Sequence, residues 1–129
     1  MEGNAKGWFP SGQQQFDYNF RNNLEHGVCT EWNEVGQKVS ELQFIDGQPH
    51  GSMTNWFDSG NKLSSGNYKN GRPDGEWTSW HENGVVASKG AYIGGKQDGV
   101  WTYWFENGQI RMRGNYESGQ RDSLWTHWY

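Results

Sequence analysis

The sequence predicts an all-β chain in which tandem 24-residue β-hairpin repeats form one elongated, twisted antiparallel sheet. Three observations predict it. All nine tryptophans fall on two ladders with a step of 24 residues. One ladder is Trp8, Trp32, Trp56, Trp80, Trp104 and Trp128. The other is Trp77, Trp101 and Trp125, with Cys29 and Met53 at its two earlier positions. Glycine keeps the same step, in registers such as Gly51, Gly75 and Gly99, or Gly66, Gly90 and Gly114. No segment shows a helical period, and glycine recurs too often for a stable helix.

The elements follow unit by unit. Residues 1–129 read as a single repeat domain with units at 3–26, 27–50, 51–74, 75–98 and 99–122, and a partial unit at 123–129. In the unit starting at Gly99, Val100 to Phe105 is rich in β-branched and aromatic residues and reads as a strand. Glu106-Asn107-Gly108 follows, and Asn-Gly is a strong hairpin signal because both residues accept positive φ at low cost. Ile110 to Glu117 reads as the return strand, and Ser118-Gly119 opens the loop to the next unit. The turn at Glu82-Asn83-Gly84 is nearly identical; Asp58-Ser59-Gly60 and Glu34-Val35-Gly36 are weaker versions. Ser123 ends the register that begins at Gly3. The stretch from Leu124 to Tyr129 reads as a strand without its return partner, a sticky edge that could pair with a second copy.

Strand parity assigns the faces. Thr102 and Trp104 point one way; Trp101, Tyr103 and Phe105 point the other. The Thr and Trp side is nearly constant across units and is expected to carry the structural packing. The opposite side varies, with Glu31, Asn55, Ser79, Tyr103 and His127 in one register and Asn33, Phe57, His81, Phe105 and Tyr129 in the next. Gly66, Gly90 and Gly114 share a side with Tyr68, Tyr92 and Tyr116. The Trp ladder is expected to lie over these glycines, ring on backbone.

Composition narrows the function classes. The formal net charge is −4 and no basic run occurs. Nucleic acid and anionic lipid both reward a concentrated positive patch, so neither is expected as the main partner. Aliphatic residues are scarce, and periodic aromatics supply the missing apolar area. The lone cysteine, Cys29, cannot form an internal disulfide and fits a reducing compartment. Its ladder position marks it as packing and not as a nucleophile. Neither a membrane span nor a signal peptide is read, so a soluble, cytoplasmic chain is expected.

The pattern Gly-x-Trp-Thr-x-Trp-(Phe/His)-Glu-Asn-Gly, followed about eight residues later by an aromatic, is present in Gly75–Gly84 with Tyr92 and in Gly99–Gly108 with Tyr116. It resembles the MORN repeat (membrane occupation and recognition nexus) in its bacterial variant, and the resemblance covers nearly the whole chain. It implies a hairpin-repeat sheet. Proteins of that variant are often described as antitoxin-like, and wider MORN proteins as scaffolds for proteins or, in some cases, phosphoinositide lipids. The resemblance supplies no catalytic residues.

Candidate sites are weighed against plainer roles. Trp77, Trp101 and Trp125 could grip a partner, since Trp and Tyr anchor interfaces. Their packing role in the repeat is the weightier reading, because solenoid repeats spend most regular positions on stacking. Tyr103, Phe57, Phe105, His81 and Tyr129 are better placed, because they vary between units. Glu34, Asp58, Glu82 and Glu106 line one row of turns, and Asp74, Asp98 and Asp122 the opposite edge. Neighbouring hairpins hold such acids about 9–10 Å apart, too far to converge on calcium. No His or Cys spacing suits zinc, so no metal or cofactor is expected. No catalytic constellation is legible.

The reading is a non-enzymatic protein-binding module with Phe57, Trp77, His81, Trp101, Tyr103, Phe105 and Trp125 at the partner face. An antitoxin or immunity role against a basic toxin, or a scaffold role, is its finer form. The alternatives are carbohydrate binding by the aromatic strip and membrane-surface association; the acidic balance argues against the latter.

Overall fold

The computed structural model describes residues 2–129, and Ser123 by its backbone alone. Every regular element among the described residues is a strand: β1 (Gly3–Trp8), β2 (Gln14–Arg21), β3 (Leu24–Glu25), β4 (Gly27–Trp32), β5 (Lys38–Ile45), β6 (Gln48–Trp56), β7 (Lys62–Lys69), β8 (Arg72–Trp80), β9 (Val86–Ile93), β10 (Lys96–Trp104), β11 (Ile110–Glu117) and β12 (Gln120–His127). Among the described residues no helix is long and apolar enough to cross a membrane. The strands form one antiparallel meander in the order β1-β2-β4-β5-β6-β7-β8-β9-β10-β11-β12, with the two-residue β3 beside β2. The sheet is open, with β1 and β12 at its ends.

The repeat step is visible in the elements. β6, β8, β10 and β12 begin at Gln48, Arg72, Lys96 and Gln120, three residues ahead of the glycine register on which the units were drawn. Trp8, Trp32, Trp56, Trp80 and Trp104 each end an outgoing strand, so the longer Trp ladder forms a common row beside one set of turns. The accessible surface is 7989 Å² for a 14.9 kDa chain. A compact protein of that mass would expose roughly 7000 Å². The excess is what a single elongated layer produces.

Two turn types alternate, and they sit the opposite way round from the sequence expectation. The tight turns with two positive-φ residues are Asp46-Gly47, Asn70-Gly71, Gly94-Gly95 and Ser118-Gly119, which join one unit to the next. In the Glu-Asn-Gly turns only the glycine is left-handed: Gly84 and Gly108 both have φ 89°, while Asn83 and Asn107 do not have positive φ. There Gly84 N–H donates to His81 O at 2.9 Å and His81 N–H donates to Val85 O at 2.8 Å, closing a three-residue loop. Asn83 serves through its side chain, whose Oδ1 accepts from Val85 N–H at 3.0 Å.

Both turn rows are tied across units. Gly71, Gly95 and Gly119 donate their N–H to Pro49 O, Pro73 O and Gln97 O in the preceding unit at 2.8–3.1 Å. On the other edge Asn61 Nδ2 donates to Glu82 O at 2.8 Å and Asn83 Nδ2 to Glu106 O at 2.9 Å. Such nearest-neighbour ties replace the deep core that a single layer lacks.

The packing core lies on the face opposite the Thr row. A Cβ on Gly66, Gly90 or Gly114 would fall inside the indole of Trp77, Trp101 or Trp125 respectively. The shorter ladder therefore covers the glycines. The Thr and Trp104 side was expected to carry the structural packing; instead Trp80 and Trp104 sit at strand ends opposite Val86 and Ile110. The reason is register. Trp101 pairs with Gly114 across one strand and lies over Gly90 on the other side.

Candidate functional site

The aromatic face is built from a repeated defect in strand pairing. Between β9 and β10, Asp98 pairs with Ala91 and the next pair is Thr102 with Lys89, so Gly99, Val100 and Trp101 oppose Gly90 alone. Gly99 takes φ +77° at this bulge, a conformation that disfavours any side chain. The bulge lets Trp101 Nε1–H donate to Ala91 O at 3.0 Å. The same bond recurs from Trp77 to Asn67 O at 3.0 Å and from Trp125 to Asn115 O at 3.2 Å. Each indole thus lies flat over a glycine with its only polar atom satisfied.

The rings then interlock along the sheet. Tyr68 meets Trp77 edge to face at 5.3 Å, Trp77 meets Tyr92 at 6.0 Å, and Tyr92 meets Trp101 at 5.2 Å. Tyr116 bridges Trp101 at 6.2 Å and Trp125 at 5.0 Å. Tyr103 stacks on Trp101 at 6.3 Å and tilts toward Trp125 at 6.2 Å. Edge-to-face pairs contribute about 0.5–1.5 kcal/mol each beyond their buried area.

The zipper changes character toward the N-terminal end. Met53 stands where Trp77 does; its neighbour on β5 is Leu42, in the register where Trp77 covers Gly66, while on β7 it still pairs with a glycine, Gly66. Cys29 stands one unit earlier and has Tyr18 in the glycine register. Large over small becomes medium beside medium, so volume is conserved while the residue types change. Cys29 is 6% exposed, and burial pushes its thiol pKa up, consistent with packing. Beside it lies a cavity of about 200 Å³ lined by Tyr18, Glu25, Cys29, Glu31, Ser40, Leu42 and Phe44. Burial, and then a hydrogen bond with Glu31, push the Tyr18 hydroxyl pKa up to about 12. Burial, then a hydrogen bond with Tyr116, does the same to Tyr103.

The seven residues expected at the partner face fall into separate places. Trp101, Tyr103 and Trp125 meet through their rings, and Trp77 joins them through Tyr92. Trp101 is only 4% exposed, so it supports the face from within and is withdrawn from direct contact. His81 and Phe105 line a groove of about 680 Å³ with Trp104, Arg111 and Tyr129 at the turn edge. His81 Nε2 is 2.8 Å from Trp104 O, tying one unit to the next. Phe57 occupies the equivalent turn between β6 and β7, half-buried.

Sequence reasoning missed two contributors. Arg111 lies over the Tyr103 ring at 6.0 Å, and Arg121 over Trp125 at 4.3 Å. Their registers hold other residue types in earlier units, so periodicity gave no signal. The acid row at the unit-joining edge also has a structural role: Asp98 Oδ1 accepts from Ser118 N–H at 3.4 Å, and His50 Nδ1, in the same register, accepts from Asn70 N–H at 3.3 Å. Among the described residues no group of three or more His, Cys, Asp or Glu side chains converges as a metal site would.

Comparison with known proteins places this geometry. The model of a family described as MORN repeat variant matches residues 49–70, 73–93 and 97–120, just over half of the chain. No curated protein matches the chain. Among solved structures, a mutant of S. aureus TarM in complex with fondaparinux, alpha-GlcNAc-glycerol and UDP aligns at 13% identity and a TM-score of 0.44 over 74% of this chain and 19% of that one. A crystal structure of TarM aligns at 14% identity and 0.44 over 75% and 19%. The chain thus spans about a fifth of the length of these structures.

Proposed function

The chain belongs to the MORN repeat variant family, whose repeats generally serve as protein- or membrane-binding modules, and from that premise we propose a non-enzymatic protein-binding role for its aromatic face. One observation carries the reading: a continuous ring ladder from Tyr68 to Trp125 on one face of a sheet that, among the described residues, no second layer covers. Trp and Tyr held rigid by packing are effective interface anchors, because little entropy remains to be lost on binding. Tyr103, Phe57, His81 and Phe105 are the residues we assign to contact; Trp101 and Trp125 hold Tyr103 through their rings, while His81 and Phe105 stand in the groove at the turn edge. The finer form of the proposal is an antitoxin or immunity role, in which a chain of net charge −4 masks a basic toxin, or a scaffold role.

Affinity capture with the full chain, followed by reconstitution with the purified partner, tests this. Tyr103→Ala and His81→Ala should each weaken the partner at least about tenfold. Thr78→Ser, on the opposite face, should leave it unchanged. Equal affinity for all three variants would contradict the assignment.

The edge groove favours a second reading. Trp104, Phe105 and Tyr129 stand there with Asn107, Gln109 and Arg111, a set of rings and planar polar groups able to take a sugar. Quenching of Trp fluorescence by saccharides, lost in Phe105→Ala, would support it; silence on a glycan array would remove it. Liposome flotation with anionic lipid tests the membrane alternative, against which the acidic balance argues.

A further inference from the structure

A cavity takes the place of a ring stack near the N-terminal end of the aromatic face. Its lining residues correspond, three steps of 24 residues earlier, to the surroundings of Trp101. Trp101 lies over Gly90, pairs with Gly114, stacks on Tyr103 at 6.3 Å and meets Tyr116 at 6.2 Å. At the matching positions stands Cys29, with Tyr18, Leu42, Glu31 and Phe44 around it. Tyr18 and Leu42 refill part of the volume that the indole holds in the later unit. Cys29 for Trp101, Glu31 for Tyr103 and Ser40 for Met112 give volume up, and a cavity of about 200 Å³ is left.

The polarity changes with the volume. In the later unit Gln97 Nε2 donates to the Tyr103 hydroxyl at 3.3 Å, a neutral pair. Glu25 and Glu31 stand in those two registers, so the pair becomes two carboxylates. Burial comes first in raising the pKa of the Tyr18 hydroxyl and the Cys29 thiol, and the charges of both carboxylates raise them further. Tyr18 holds Glu31 by one hydrogen bond, and a carboxylate offers about four acceptor sites, so Glu31 keeps capacity for a further donor. The ion pairs among the described residues are His26–Asp46, Lys38–Glu41 and Lys89–Glu76, so neither carboxylate takes part in one. No lysine or arginine lines the cavity.

Two like charges at one site without a counter-charge favour an incoming cation. A bare metal ion is the poorer fit, because among the described residues no group of three or more His, Cys, Asp or Glu side chains converges. Tyr18, Leu42 and Phe44 supply apolar walls, and ring faces attract ammonium groups. An apolar cavity of about 150 Å³ takes up benzene, so this one admits a ring of that size with a short amino arm.

We propose that this cavity is a binding site for a primary ammonium group on a small apolar body, with Glu25 and Glu31 holding the charge and Tyr18, Leu42 and Phe44 the body. The site shares no residue with the partner contact at Tyr103, His81, Phe57 and Phe105, so failure of either reading leaves the other standing.

Titration of the full chain with 2-phenylethylamine, followed by calorimetry and by NMR shifts of the Leu42 methyl groups and the Tyr18 ring, tests the proposal. Binding should saturate with a dissociation constant of about 1 mM or lower. 2-Phenylethanol, similar in size and neutral, should bind at least about tenfold more weakly. Glu25→Gln with Glu31→Gln should weaken the amine by about the same factor and leave 2-phenylethanol unchanged, which separates lost charge from a misfolded variant. Ser40→Met, which brings in the residue type of the Met112 register, should fill the cavity and weaken both ligands. Competition with Nα-acetyl-lysine methylamide distinguishes two sources of the same ammonium chemistry. Displacement of the amine assigns the site to a lysine side chain of a basic partner, and lack of displacement assigns it to a free small amine. The absence of a saturable shift at Leu42 would overturn the proposal. So would equal affinity for amine and alcohol, indifference to the glutamate changes, or shifts confined to the groove at Trp104 and Phe105.

Discussion

Trp101 donates its indole N–H to the backbone carbonyl of Ala91 at 3.0 Å, across a bulge in which three residues of β10 oppose Gly90 alone. The bulge, the glycine and the ring are one device, repeated at Trp77 and Trp125. Predictions about stability follow from treating the three as a unit.

Gly90→Ala should destabilise the chain strongly, because the added methyl would lie inside the Trp101 ring. Overpacking of this kind costs about 1–3 kcal/mol. Trp101→Ala should cost about 3–5 kcal/mol through the cavity and the lost bond. The Met53 and Leu42 pair points to a rescue: Gly66→Leu together with Trp77→Met should be more stable than the sum of the single changes predicts. Urea unfolding of the parent, the two single variants and the double variant measures the coupling.

Gly94→Asn should stabilise the chain by about 0.4–1 kcal/mol, since the change restricts the unfolded state at a compatible backbone position. Gly94 has φ +58° and open space around it, and Asn70 already holds the equivalent position at φ 51°. Gly84→Ala, at φ +89°, should have the opposite sign. Thermal unfolding midpoints separate the two.

Alkaline pH should weaken the fold between about pH 10 and pH 12. Tyr18 and Tyr103 have pKa values raised from 10.0 to about 12, so the folded state holds their protons more tightly than the unfolded state. Their contribution is complete below pH 10 and falls as pH rises through 12. Glu31→Gln should bring the Tyr18 midpoint down toward the ordinary value, because the carboxylate raises it through a hydrogen bond and its charge. Tyrosinate absorbance during titration reports both.

Much of this architecture was legible in the sequence because its repeat is strict. The step of 24 residues placed the strands, the row of Trp32, Trp56, Trp80 and Trp104, and the unit-joining turns. It did not show which ladder covered the glycines. That needed the register of Trp101 with Gly114, whereas parity alone favours the Thr side. The Asn-Gly turns misled for a related reason. Asn83 caps its loop through Oδ1 and leaves positive φ to Gly84, whereas the less conspicuous Ser118-Gly119 takes positive φ at both residues. The binding face was only half legible. Tyr103 and His81 stood out as variable positions, while Arg111 and Arg121 gained meaning only when placed over Tyr103 and Trp125.

Hydrogen exchange of the indole N–H groups, resolved one by one by NMR, tests the ring-over-glycine ladder most directly. Trp77, Trp101 and Trp125 should exchange slowly, as donors to backbone carbonyls, and the exposed Trp8 and Trp128 should exchange fast. Exchange at Trp101 as fast as at Trp8 would contradict the account.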